Sequence, residues 1–198
     1  MFRRILILTS SIAFALLLGG CAHPISMAPN LAVVQPVAGN PVLDKKVGYH
    51  ISAAAKAVEV TTPGGGGDKV RYFPYRDLEP GLYKALGVVF RDVAKINNPA
   101  DAAEVGASGI NLLITPEITT DSSSESPFTW PPTSFTVTLT CQIKDIQGKT
   151  LDTLRVEGRG QAEFSEFKTN FSLAAVRASD DALAKLMVAL RQSTALAK

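Results

Sequence analysis

The sequence predicts an α+β domain: an antiparallel sheet with two amphipathic helices packed on one face, preceded by a disordered tether. Three observations carry this. Apolar residues recur at spacings of three and four over residues 78–96 and again over 172–193, the mark of a helix with one buried stripe. Apolar and polar residues alternate over 46–51, 110–119, 135–143 and 150–164, the mark of half-buried strands. Residues 22–43 hold neither period, because prolines at 24, 29, 36 and 41 interrupt them.

The chain opens Met1-Phe2-Arg3-Arg4, runs apolar from Ile5 to Leu18 apart from Thr9, Ser10 and Ser11, and then reads Leu18-Gly19-Gly20-Cys21. A basic start, a short apolar core and small residues before a break are the three regions of an export signal, here residues 1–20. The apolar run falls short of the ~20 residues that a spanning helix needs. The tetrapeptide resembles the lipobox of bacterial lipoproteins. That resemblance implies signal cleavage between Gly20 and Cys21, a thioether-linked diacylglycerol on Cys21 and a third acyl chain on the freed amine. One acyl chain, at about 0.8 kcal/mol per buried CH₂, gives only reversible membrane binding, so two or three are needed for lasting attachment. Residue 22 is alanine. In well-studied lipoproteins an aspartate there favours the inner membrane, so the resemblance implies the outer membrane, facing the periplasm.

The chain carries 20 Lys+Arg and 18 Asp+Glu. Without Arg3 and Arg4 the charges balance, which argues against a nucleic-acid partner and against electrostatic attachment to anionic lipid. Of the two cysteines, an acylated Cys21 would leave Cys141 without a partner in the chain. Cys141 sits on the apolar side of the alternation over 135–143 and reads as a small buried hydrophobe.

Residues 21–44 form the lipidated N-terminus and an extended tether that would hold the domain, residues 45–198, tens of ångströms from the bilayer at about 3 Å per residue. Val47, Tyr49 and Ile51 mark a first strand, 57–61 a second and 69–73 a short third. Thr62-Pro63-Gly64-Gly65-Gly66-Gly67-Asp68 is a hairpin loop. It fails as a phosphate cradle, because Gly67 is followed by Asp68-Lys69-Val70 rather than Lys and Ser or Thr. The first helix is expected over 78–96, with Asp77 as N-cap and Pro80 in the first turn. A short helical turn or two follows at 100–107. Pro116 places the later part of strand 110–119 at an edge or a bulge. Residues 120–134 read as a long loop. Strands 135–143 and 150–164 flank a turn at Gln147-Gly148, and the phase change in the second suggests a bulge. The last helix spans 172–193, capped by Asn170 or Ser172, with Ala182 and Ala189 allowing close approach and Asp180 and Asp181 on a solvated face with Arg177 and Lys185.

The order of these elements resembles small outer-membrane lipoproteins of the YajG-like type, and more loosely the lipopolysaccharide-assembly lipoprotein LptE. The resemblance lies in the lipobox, the mid-chain helix, strand 110–119, the hairpin with Asp145-Ile146-Gln147-Gly148 and the terminal amphipathic helix. Fold likeness alone does not carry function.

No catalytic set, metal site or cofactor site is expected. His23 lies in the tether and His50 on a strand, neither with neighbours at ligand spacing. Phe128 and Trp130, the latter the only tryptophan, lie among Pro127, Pro131 and Pro132 in a polar loop. Aromatics on a stiffened loop lose little entropy on docking, so these are the candidate partner-binding residues. The expectation is a non-enzymatic, membrane-anchored accessory lipoprotein that holds a protein or envelope component near the outer membrane. Two alternatives stay open. A lipid or lipopolysaccharide transport helper would show an apolar cleft between helix and sheet, or a basic strip from Lys144, Lys149 and Arg155. An envelope hydrolase would need a polar pocket holding His50 and a carboxylate.

Overall fold

The computed structural model describes residues 22–36, 39–64, 69–124 and 133–196. The alternation over 135–143 and 150–164 becomes two long antiparallel strands, β7 (Thr133–Asp145) and β8 (Thr150–Ala162), joined by a turn in which Gly148 takes a φ of +86°. Phe135, Val137, Leu139, Cys141 and Ile143 line the buried side of β7, and Cys141 is fully enclosed there. Burial raises the Cys141 thiol pKa to about 12, as expected of a packing residue. The phase change in β8 is a bulge: Ile143 pairs with Asp152 and Lys144 with Thr150, so Leu151 is the extra residue.

The preceding strands are β1 (Ala22–Pro24), β2 (Leu43–Tyr49), β3 (Val60–Pro63), β4 (Lys69–Tyr72), β5 (Phe90–Lys95) and β6 (Leu112–Ser124). The helices are α1 (Ala53–Lys56), α2 (Pro74–Val89), α3 (Ala102–Ser108), α4 (Phe164–Phe167) and α5 (Leu173–Gln192). A five-stranded sheet runs β5-β2-β6-β7-β8, and a three-stranded one β1-β4-β3. The fold is α+β, with α2 and α5 on the buried side of the larger sheet. Antiparallel pairing holds from β6 to β8. It fails at β2, which is parallel to both β5 and β6. The long connection containing α2 supplies the crossover that a parallel neighbour needs.

The helix expected over 78–96 divides. Its helical part starts four residues earlier, with Pro74 at the first position and Phe73 as cap, so Asp77 lies inside the helix. It ends at Val89, and Phe90 turns extended at φ −110°, ψ 154°. Leu78, Leu82, Ala85, Leu86 and Val89 form the buried stripe. Residues 90–95 kept the helical spacing in sequence, yet β5 pairs along β2 and gains its backbone partners there. Spacing alone could not separate the two outcomes.

β6 shows why a proline sits in a central strand. β2 pairs only with Leu112, Leu113 and Ile114, so beyond that point this side of β6 is a local edge. Ile114 faces that side, where its carbonyl accepts from His50 N–H, and the N–H of Ile118 donates to Tyr75 Oη at 3.2 Å. Pro116 lies between them in the same row, where a missing N–H costs no ladder bond. Of the loop expected over 120–134, residues 120–124 continue β6 and residues 133 and 134 begin β7. The apolar inner row gives way here to hydroxyls that the small sheet satisfies: Tyr72 Oη lies 2.7 Å from Thr120 Oγ1, and Ser122 Oγ donates to the Pro63 carbonyl and lies 2.8 Å from Thr62 Oγ1.

Helix α5 lies directly on β8. A Cβ on Gly158 would collide with the Ala178 carbonyl and the Ala182 amide, and one on Gly160 with the Ala174 carbonyl and the Ala178 amide. The helix also covers the open edge of β8. Arg177 donates to the Gln161 carbonyl (2.7 Å), Asp181 accepts from Arg159 N–H (2.9 Å) and Lys185 donates to the Glu157 carbonyl (2.8 Å). The face expected to be solvated, with its Asp181–Lys185 pair at 2.7 Å, therefore also blunts an edge strand.

The expected tether is corrected by residues 22–36. Ala22, His23 and Pro24 pair in parallel with Lys69, Val70 and Arg71, and Met27 and Val34 are 0 % and 2 % exposed. The prolines break periodicity without preventing burial, because the N–H groups of Ile25, Ser26, Met27 and Asn30 find acceptors on neighbouring elements and those of Ala28, Ala32 and Val33 find them within the segment.

Candidate functional site

The segment 22–36 is a strap running along α2 and α5 in the same direction as both helices. His23 stacks on Phe171 with ring centroids 4.6 Å apart, and Phe171 packs edge-on against Phe167. Ser26 N–H donates to Ser172 Oγ (3.1 Å) beside the start of α5. Met27 N–H donates to Asp77 Oδ2 (3.1 Å) and Asn30 N–H to Asp180 Oδ1 (2.8 Å). Lys84 Nζ donates to the Leu31 carbonyl. Pro29 lies over Gly81, where a Cβ would meet the proline ring and come within 2.7 Å of Leu183 Cδ1. Met27 thus fills space against the helices, and two carboxylates from different helices hold the backbone around it. Burial pushes the Asp180 carboxyl above the usual range, opposed in part by the hydrogen bond from Asn30.

The strap starts at one end of the molecule. Ala22 pairs with Lys69, Lys69 pairs with Pro63, and the Pro63 carbonyl accepts from Ser122 of β6. Ser124 and Thr133, the paired ends of β6 and β7, lie two residues further on. The turn at Gln147-Gly148 is at the other end of β7, about 40 Å away at 3.3 Å per residue.

A second polar cluster centres on Glu79, whose side chain is 16 % exposed. Lys95 Nζ (2.9 Å) and Lys56 Nζ (3.2 Å) pair with it, and Tyr49 Oη donates to it at 3.3 Å. Burial alone would raise the Glu79 pKa, but the hydrogen bonds from Lys95 and Lys56 outweigh it and lower the pKa. Burial, then the charge of Glu79, pushes Tyr49 up to about 12. The cluster ties α1, α2, β2 and β5 together. His50 adjoins it in sequence, but its Nδ1–H donates to the Ile96 carbonyl at 2.8 Å, which holds the ring on backbone. Among the described residues no group of three or more His, Cys, Asp or Glu could hold a metal ion.

No protein-family model matches the chain, and no curated protein matches its sequence. The fold resembles that of protein XCC0632 from Xanthomonas campestris, of family DUF330. That crystal structure has a TM-score of 0.50 at 10% identity, over 86% of this chain and 98% of that one. Two further similar structures are the uncharacterized lipoprotein B from Nitrosomonas europaea (TM-score 0.48, 10% identity, 82% and 94% covered) and a minor lipoprotein from Acinetobacter baumannii (0.46, 15%, 76% and 93%). At these identities the likeness is one of fold.

Of the residues singled out in sequence, Gly20, Cys21, Phe128 and Trp130 lie outside the described residues, as do Gly65–Asp68 of the glycine loop. Lys144 and Arg155 do not form an unbroken strip: Arg155 shares its register row with Thr140 and Glu117. The seam between α5 and β8 is closed at Gly158 and Gly160, so the apolar cleft expected of a lipid carrier does not open there. Sequence reasoning missed the strap contacts of Asp77, Lys84 and Asp180. The signal that could have found them is the set of bulky apolar residues Ile25, Met27, Leu31, Val33 and Val34 among the prolines. Leu31, Val33 and Val188 leave apolar side chains exposed beside the strap, and Ala184 lines two adjoining grooves of about 310 and 380 Å³ there.

Proposed function

We propose that the chain is a lipid-anchored, non-enzymatic accessory protein of the bacterial cell envelope that holds a protein or envelope component close to the outer membrane. One observation supports this most directly. Ala22, the residue after the lipobox cysteine, is paired with Lys69 in the β1–β4 ladder, so processing between Gly20 and Cys21 would leave that strand whole. The exposed Leu31, Val33 and Val188 beside the two grooves are apolar surface of the kind partner proteins cover. The loop with Phe128 and Trp130 is the other proposed contact.

The anchor is tested by intact mass and fractionation. The native chain is expected to carry acyl groups on Cys21 and to sediment with membranes, and Cys21→Ser to be released. A Cys21→Ser chain still tightly bound to membranes would refute the anchor. The partner role is tested by photo-crosslinking in intact cells from positions 130 and 188. A reproducible adduct from position 188 that is lost on Trp130→Ala, or from position 130 that is lost on Val188→Asp, is expected, and no adduct from either position would count against the role.

A further inference from the structure

We infer that the end of the domain bearing Ala22, Lys69, Lys168 and Phe171 is a bilayer-facing surface, held flush against lipid headgroups, while the turn at Gln147-Gly148 points away from the membrane. This rests on the lipid attachment at Cys21 proposed above and adds the orientation it imposes.

A peptide unit spans 3.8 Å between Cα atoms. Ala22 is fixed in the β1–β4 ladder opposite Lys69, and the strap behind it is held by hydrogen bonds to Ser172, Asp77 and Asp180. A single peptide bond therefore joins the acylated residue to a rigid strand. A free tether over 22–43 would let the domain wander tens of ångströms from the bilayer. The docked strap removes that freedom, since the bilayer must lie where β1 begins.

The surface at that end has the chemistry to rest on headgroups. Lys69 and Lys168 are exposed cations suited to lipid phosphates. Of the nearby acids, Glu166 is engaged by the Arg177 guanidinium through two bonds of 3.0 Å, while Glu163 and Asp121 stay exposed. Phe171, stacked with His23, supplies a half-buried aromatic at the same end. The strap then climbs from the starts of α2 and α5, so both helices and the long hairpin rise away from the lipid.

The test uses the full acylated chain in vesicles of phosphatidylethanolamine and phosphatidylglycerol carrying headgroup-nitroxide lipid. Single bimane labels are placed at Lys69→Cys, Lys168→Cys or Gln147→Cys. Cys141 is buried and stays unlabelled, and the Cys21 sulfur is blocked by its thioether. Emission at 69 and 168 is expected to fall by about half or more, with none lost at 147, which stands ~40 Å away. Inserting about a dozen Gly and Ser residues between Cys21 and Ala22, with a mean reach of ~20 Å, is expected to abolish quenching at 69. Acyl groups on Cys21 by intact mass, together with equal quenching at 69 and 147 or none at either, would overturn the orientation alone. Quenching at 69 that survives the insertion would overturn the short link as its cause. An absence of acyl groups would overturn the anchor itself, and the orientation with it.

Discussion

The backbone N–H of Met27 donates to the buried carboxylate of Asp77, fifty residues further along the chain, at 3.1 Å. This bond fixes the strap where Met27 enters the core. Asp77→Ala would leave that N–H buried without an acceptor, at a cost of about 1–3 kcal/mol. Faster amide exchange over residues 25–31 than over β7 is the expected sign, and Asp77→Asn, which keeps an acceptor oxygen, should recover most of the protection. Unchanged exchange in Asp77→Ala would mean that the carboxylate does not hold the strap.

Asp180 holds the strap at a cost that depends on pH. Burial raises its pKa in the folded chain, so the fold binds this proton more tightly than the unfolded chain does. The charge therefore costs stability above the folded pKa, and the cost fades as pH falls through it. Asp180→Asn keeps an oxygen for Asn30 N–H and removes the charge. Its melting temperature should equal or exceed that of the native chain at pH 7, and any gain should shrink on acidification. A clear loss at pH 7 would contradict this reading.

Glycine at 158 is demanded by contact. Gly158→Ala puts a methyl group against the backbone of α5 at Ala178 and Ala182, which cannot swing aside as a side chain would. Overpacking typically costs about 1–3 kcal/mol, and a backbone collision should reach the upper end. Urea denaturation of Gly158→Ala, beside Gly87→Ala where a Cβ meets nothing within 4 Å, measures the difference. Equal midpoints would show that the seam is looser than described.

Tyr49 should resist ionisation. With its pKa raised to about 12, the folded chain keeps this proton after the unfolded chain has lost it near pH 10. The resulting stability is present in full below about pH 10 and is lost as pH rises towards 12. Ultraviolet titration of the native chain against Tyr49→Phe should show the missing phenolate step near 12. A step near 10 would show that the pocket around Glu79 does not exclude water.

The parts of this fold legible in sequence are those where burial repeats along the chain. The alternation over 135–143, the stripe of Leu82, Leu86 and Val89 and the enclosure of Cys141 each follow from a local period meeting one buried face. Three features were not legible. Residues 90–95 carry helical spacing but became β5. Residues 120–124 carry polar side chains but lengthen β6. Residues 22–36 carry prolines but became a strap.

The sequence by itself determined the α+β class, the two helix stripes and the long β7–β8 hairpin. Only the tertiary structure decided that β5 lies parallel to β2, that Arg177, Asp181 and Lys185 cover the edge of β8, and that the strap runs along both helices. A side-chain period records which face of an element is buried. It does not record which distant carbonyl, hydroxyl or carboxylate satisfies a backbone amide, and those pairings depend on neighbours that the chain meets only once folded.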